Sequence, residues 1–123
     1  HQIELIAGHL TSTMGDVREV HNWAEALNRR GKNFPRINAL KSMTGHCLSA
    51  AGAIETVGAV VQMANNFIHP SLNAAHLHPQ IAELIDDQCV PRNLLPEGPS
   101  VVAKSSFGFG DVNACLILKK WNP

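Results

Sequence analysis

The sequence lacks an excess of charge of either sign and lacks a long hydrophobic run. Ten Lys and Arg residues balance ten Asp and Glu residues, so the formal net charge is zero. Nucleic acids and anionic membranes attract proteins with a basic excess, and the balance therefore argues against both as partners. No apolar run approaches the roughly 20 residues that a membrane-spanning helix requires, and no signal-peptide pattern is visible.

The chain also has few cysteines. Cys47, Cys89 and Cys115 are an odd number at irregular spacing, and no Cys-x-x-Cys pair occurs. This usage is typical of free thiols in a reducing compartment, and it predicts a cytoplasmic protein. Hydrophobic residues still make up 45% of the 123 residues, which favours one folded domain over disorder.

Hydrophobic patterning predicts a layered α/β fold. Short apolar runs predict strands at residues 3–7, 37–40, 100–106 and 114–119, with another strand at 67–72 interrupted by Pro70. A capping-box pattern at Asp16 and Glu19, with Gly31 after a basic last turn, predicts a helix at 16–30. Further helices are predicted at 49–65 and, short, at 79–85. The order β-α-β-α-β-β indicates a mixed sheet covered by helices.

The helix at 49–65 has apolar or small residues on every side. Such a helix is expected in the interior of a layered domain, covered on both sides. Glu55 is the only Asp, Glu, Lys or Arg between Lys41 and Glu83. Because a buried carboxylate needs a partner, Glu55 is expected to pair with another group, which helix spacing does not identify.

Two histidines lie at element junctions among hydroxyls and glycines. His9 follows the first strand in Gly-His-Leu-Thr-Ser-Thr, and His46 precedes the central helix in Lys-Ser-Met-Thr-Gly-His. Loops just past the carboxyl ends of strands are where α/β sheets place ligand-binding groups. With Lys41 and the isolated Glu55 nearby, the two histidines indicate a functional site.

Three segments together resemble a known family. These are His9-x-Thr11-Ser12-Thr13, the run Lys41-Ser42-Met43-Thr44-Gly45-His46 with Ala50-Ala51-Gly52 after it, and Ser106-Phe107-Gly108-Phe109-Gly110 with Asn113. In this order they resemble successive signatures of the β-ketoacyl-acyl-carrier-protein synthases. The resemblance implies a thiolase-like fold, of which residues 1–123 would be the C-terminal half, and an acyltransferase of fatty-acid or polyketide synthesis.

The resemblance implies a decarboxylating Claisen condensation. An acyl group on a cysteine of the absent N-terminal half would be joined to malonyl carried on acyl carrier protein. His9 and His46 match the family histidines that bind the malonyl thioester carbonyl and stabilise the enolate. Lys41 matches the lysine beside them, and Glu55 matches the acidic residue paired with that lysine.

The resemblance also implies binding residues. Thr11 and Thr13 match hydroxyls that hydrogen-bond the phosphopantetheine arm, although threonine also favours turns and helix N-caps. Phe109 matches a gating phenylalanine, with Phe107 beside it. Leu10 and Asp111 each stand where the family usually has glycine.

The implied partners are acyl carrier protein, the absent half and a second copy of the complete enzyme. No metal and no permanently bound cofactor is expected, because phosphopantetheine arrives as the substrate carrier. The segment alone would not catalyse condensation, since none of its three cysteines has the family's glycine-flanked Ala-Cys context.

Two alternatives belong to other classes. A non-catalytic partner subunit of the chain-length-factor type is disfavoured because His9, Lys41 and His46 are all kept. A small hydrolase using Cys47 is disfavoured because side chains adjacent on a helix point about 100° apart.

The pair His76-x-His78 could offer two metal ligands, but no third ligand lies at a useful spacing.

Overall fold

The computed structural model describes residues 2–121 and contains one four-stranded mixed sheet. Its strands are β1 (Leu5–Ala7), β2 (Arg36–Asn38), β3 (Val101–Gly108) and β4 (Val112–Lys119). Its helices are α1 (Met14–Leu27), α2 (Lys41–Thr44), α3 (Ala51–Ala64) and α4 (Pro79–Ala82). Short 3₁₀ helices lie at Leu48–Ala50 and Asp87–Cys89.

The sheet has the strand order β2-β1-β3-β4. The central strand β1 runs parallel to both neighbours, with Ile6 opposite Ile37 on one side and Ala103 on the other. Strands β3 and β4 form an antiparallel hairpin. Because the three parallel strands end at the same edge, the loops after β1 and β2 meet there, beside the second half of β3.

Side chains that alternate along β1 enter two separate apolar layers. Ile6 packs with Val20 and Ala24 of α1 on one face of the sheet. Leu5 and Ala7 pack on the other face, in a layer with Ala59 and Met63 of α3. This alternation is the period of two expected for a strand covered on both faces. The predicted layered α/β fold with a mixed sheet is confirmed.

Helix α1 differs from the prediction at both ends. It begins at Met14, with the Thr13 hydroxyl accepting from Gly15 N, and it ends at Leu27 before Asn28 in the left-handed conformation. The capping box was the wrong interpretation, because the Asp16 carboxylate accepts from Thr11 N and Ser12 N in the preceding loop. The side-chain bonds of that loop therefore set where the helix starts.

Residues 67–72 do not form the interrupted strand that the sequence predicts. Within the part of the chain that the structure describes, their pairing is a single antiparallel bridge between Ile68 and Leu95. Pro70 has no N–H to continue a ladder, and Ser71 N donates to the carbonyl of Pro91 instead.

Helix α3 is buried along one side only. Ala51, Glu55, Ala59, Gln62 and Met63 are buried, and this is the side that faces the sheet. The opposite side is exposed, with relative exposures of 37% for Ile54, 62% for Val57, 48% for Val60 and 42% for Val61. The expectation that this helix is covered on both sides is therefore met on one side, because the single sheet covers one face of it.

Among residues 2–121, no helix has the length and apolar character needed to cross a membrane.

Candidate functional site

Three aromatic rings, two from loops and one from strand β3, meet at the carboxyl edge of the sheet. The ring centroids of His9 and His46 lie 5.3 Å apart, with the ring planes at 82°. The Phe107 ring contacts His9 from β3, at 5.4 Å and 64°. The structure thus brings together the two histidines that the sequence singled out. His46 is exposed, so one side of the pair is open.

Hydrogen bonds fix which nitrogen of each ring carries the proton. The Lys41 ammonium lies 3.3 Å from His9 Nδ1 and can only donate to it. The backbone N–H of Leu48 donates to His46 Nδ1 over 3.0 Å. A ring nitrogen that accepts carries no proton, so each neutral imidazole carries its proton on Nε2. Both rings therefore present an Nε2–H donor.

The surroundings of His9 favour its neutral form. Burial lowers the pKa of His9 below its usual 6.5, and the Lys41 ammonium lowers it further. At pH 7 the ring is therefore uncharged, which leaves Nδ1 free to accept from Lys41. The Lys41 ammonium and the neutral form of His9 stabilise each other, since protonation of Nδ1 would place two cations in contact.

The predicted ion pair between Lys41 and Glu55 is present. Glu55 Oε1 contacts Lys41 Nζ, and the two side chains are 4% and 6% exposed. Glu55 Oε2 contacts a second ammonium, that of Lys104, over 2.7 Å. Sequence reasoning missed Lys104, although a lysine in the middle of the apolar run 101–106 is a signal that could have raised the question.

Glu19 is a second buried acidic residue that the sequence analysis misassigned. It is 3% exposed and lies on α1. Its carboxylate accepts from His9 N at 2.9 Å and Leu10 N at 3.0 Å, and from the Ser105 hydroxyl at 2.6 Å. Glu19 therefore anchors the loop that carries His9 to β3, a role that the spacing of a helix cap cannot indicate.

Thr11 and Thr13 lie beside a cavity of about 720 Å³, which Lys41 and His46 also line. Their hydroxyls are 3.0 Å apart, and Thr13 Oγ1 also accepts from Gly15 N at 3.3 Å. The alternative assignment of Thr13 as an N-cap is therefore confirmed. Binding of a pantetheine arm by either hydroxyl stays a prediction.

Phe107 and Phe109 are placed differently. Phe107 lies against His9, whereas Phe109, in the turn of the β3–β4 hairpin, is 94% exposed. Asp111 in the same turn adopts φ 60°, a left-handed conformation that glycine adopts more easily. The position thus keeps the backbone form of a glycine while carrying a carboxylate. A gating role for Phe109 stays a prediction.

Cys47 does not form a pair with His46. Its sulfur lies 3.8 Å from the carbonyl oxygens of Thr44 and Gly45, and His46 Nδ1 is occupied by Leu48 N. His78 Nδ1 accepts from Gln80 N, and no group of three potential metal ligands occurs among residues 2–121. The geometry supports neither a Cys47 nucleophile nor a metal pair at His76 and His78.

Comparison with known proteins gives a consistent result. The family model described as "Beta-ketoacyl synthase, C-terminal domain" matches residues 1–75. The chain is 39% identical to 3-oxoacyl-[acyl-carrier-protein] synthase 1 of Haemophilus influenzae, over 98% of this chain and 28% of that protein.

Solved structures agree with the sequence relatives. The structure of the ishigamide ketosynthase/chain length factor superposes with a TM-score of 0.85 at 27% identity, covering 98% of this chain and 28% of that chain. The same values hold for a type II polyketide-synthase acyl-carrier protein in complex with its ketosynthase bound to the hexaketide. These matches confirm the predicted ketosynthase fold class, and the chain spans about 28% of the length of the relatives it matches.

Proposed function

This chain belongs to the β-ketoacyl synthase family, and on that premise we propose that it is the C-terminal part of an enzyme that condenses acyl groups with malonyl-acyl carrier protein. The observation that carries the proposal is the His9–His46 pair, 5.3 Å apart with an Nε2–H on each ring. One thioester oxygen between the rings would accept both hydrogen bonds.

Such a pair acts on charge that develops during the reaction. When the bond between the malonyl carboxylate and the α-carbon breaks, carbon dioxide leaves and the electron pair forms an enolate. Two donors already aimed at the enolate oxygen stabilise it without reorganisation. The α-carbon then attacks the acyl thioester on a cysteine outside these residues, and that cysteine leaves as a thiolate.

The remaining site residues are assigned by the same proposal. Glu55 holds Lys41, and Lys41 holds His9 in the tautomer that donates from Nε2. Thr11 and Thr13 would contact the phosphopantetheine arm in the adjacent cavity, and Phe107 and Phe109 would border the acyl site.

We extend the proposal to the partners. Acyl carrier protein delivers malonyl, and the name of the Haemophilus influenzae relative, 3-oxoacyl-[acyl-carrier-protein] synthase 1, and the acyl-carrier-protein complex of the polyketide ketosynthase support this carrier class. The complete enzyme would be a cytoplasmic homodimer that contains the remaining N-terminal part, and phosphopantetheine would arrive only as a substrate carrier. The three free cysteines of the described residues are consistent with the cytoplasm.

The test is decarboxylation of malonyl-acyl carrier protein, followed as carbon dioxide release. It uses the longest natural protein that contains these residues. His9→Ala and His46→Ala should each lower the rate about 10²-fold or more, as expected for loss of one oxyanion donor. His21→Ala, at an exposed position on α1, is the matched control and should keep the normal rate. Near-normal decarboxylation by either site variant would overturn the assignment.

The same assay separates the alternative function. A non-catalytic partner subunit predicts no carbon dioxide release by the protein alone and no loss when His9 or His46 is replaced in the assembled complex. Release that depends on both histidines would exclude it.

A further inference from the structure

Lys104 is a buried lysine at the site that lies outside the three sequence motifs. Its side chain is 1% exposed, in the middle of β3. Its ammonium forms an ion pair with Glu55 Oε2 over 2.7 Å. It donates hydrogen bonds to Ser106 Oγ at 2.9 Å and to the carbonyl of Ser105.

The cluster around Glu55 carries an unbalanced charge. One carboxylate faces two ammonium groups, Lys41 on Oε1 and Lys104 on Oε2. The buried group therefore has a net charge of about +1, a costly arrangement that a neutral residue at position 104 would avoid. The contacts also run in series, from Lys104 to Glu55, from Glu55 to Lys41, and from Lys41 to His9.

We propose that Lys104 is a positioning residue that holds the Glu55 carboxylate by its second oxygen and adds a positive charge to the cluster that contacts His9 through Lys41. Its kinetic consequence rests on the proposed function, whereas its effect on His9 does not. Without Lys104, Glu55 would be free to rotate and the cluster would lose its net charge.

The charged groups that face His9 come from every neighbouring element. Lys41 lies on α2, Glu55 on α3, Lys104 on β3 and His46 in the loop before α3, while Glu19 of α1 accepts from the His9 backbone N–H. After burial, the Lys41 charge lowers the pKa of His9 most, the Glu55 charge raises it, and the His46 and Lys104 charges lower it. Removing the Lys104 charge therefore leaves His9 easier to protonate.

The experiment is a pH titration of the His9 ring by NMR. It uses the longest natural protein that contains these residues, with ¹³C-labelled histidine and His9→Gln to assign the signal. Lys104→Met should raise the pKa of His9, because it removes one of the positive charges that lower this pKa. Lys119→Met, at an exposed position on the neighbouring strand, is the control and should leave the titration unchanged.

A second variant covers the case in which Lys104→Met does not fold. Lys104→Gln keeps a hydrogen-bond donor but carries no charge, and it should raise the pKa of His9 in the same direction. Lys104→Arg keeps the positive charge and should leave the pKa of His9 at its wild-type value. An unchanged His9 titration in a folded, uncharged variant would overturn the proposal and leave Lys104 a packing residue.

A kinetic measurement complements the titration. The acid limb of decarboxylation against pH should move upward with the His9 pKa in the uncharged variants. If the protein releases no carbon dioxide at all, the proposed function fails, while the titration of His9 still decides the role of Lys104.

Discussion

Replacing Glu55 by glutamine should destabilise the protein far more than any replacement of a surface carboxylate. The change removes one charge and almost no volume. It leaves two ammonium groups, those of Lys41 and Lys104, buried on either side of a neutral amide. Neither lysine can reach water without moving, since their side chains are 6% and 1% exposed.

The magnitude follows from the burial of all three groups. Removing one partner of a buried ion pair costs about 3 to 5 kcal/mol, because the remaining charge keeps its desolvation penalty. Glu55→Gln leaves two buried ammonium groups without a negative partner, so we expect the free energy of unfolding to fall by an amount at the upper end of that range. The same chain offers a matched control in Glu25, which pairs with Arg30 at 58% and 52% side-chain exposure. An exposed ion pair contributes about 0 to 1 kcal/mol, so Glu25→Gln should change the free energy of unfolding very little.

The assay is urea unfolding at pH 7 of the wild type and the two glutamine variants, in the longest natural protein that contains the chain. The free energies of unfolding should differ by about 3 kcal/mol or more between the Glu55 and Glu25 variants. A Glu55→Gln variant within about 1 kcal/mol of the control would refute the reasoning, since it would show that the cluster contributes no more than a surface pair.

Three further predictions concern a helix cap, a closely packed glycine and a buried histidine. Thr13→Ala should destabilise the protein by about 1 kcal/mol in urea unfolding, through loss of the α1 cap, whereas Thr13→Ser should be nearly neutral. Gly98→Ala should lower the melting temperature more than Gly108→Ala, because a Cβ at Gly98 would meet backbone atoms of Asn66 at 2.6 and 2.8 Å, while at Gly108 its nearest contact would be 3.6 Å away; equal melting temperatures would contradict this. The unfolding free energy should fall as the pH drops below 6.5, because the lowered pKa of His9 makes the folded state bind fewer protons than the unfolded state. This fall should be smaller in His9→Gln, and an identical slope would exclude the contribution of His9.

The features that sequence predicts well here are local ones. The apolar runs of β1 and β3, the long apolar helix α3 and the glycine-bearing hairpin follow from residues that are near one another in the chain. The convergence of His9 and His46 also follows, because both loops lie at the carboxyl edge of one parallel sheet.

The features that sequence did not predict depend on distant partners. Glu19 fits a helix cap by spacing, but its hydroxyl partner Ser105 is 86 residues away. Lys104 lies in a strand whose depth only the assembled sheet defines, and its partner Glu55 comes from another layer. The one-sided burial of α3 has the same cause. Its apolar sequence does not identify which residues pack against each side of the helix.

The most direct test of the two-histidine site is a crystal structure of the longest natural protein that contains this chain, bound to a non-hydrolysable malonyl-pantetheine thioester mimic. The thioester oxygen should lie within hydrogen-bond distance, about 3.2 Å or less, of both His9 Nε2 and His46 Nε2. An oxygen bound by neither ring, or rings that face different cavities once the ligand is present, would contradict the account.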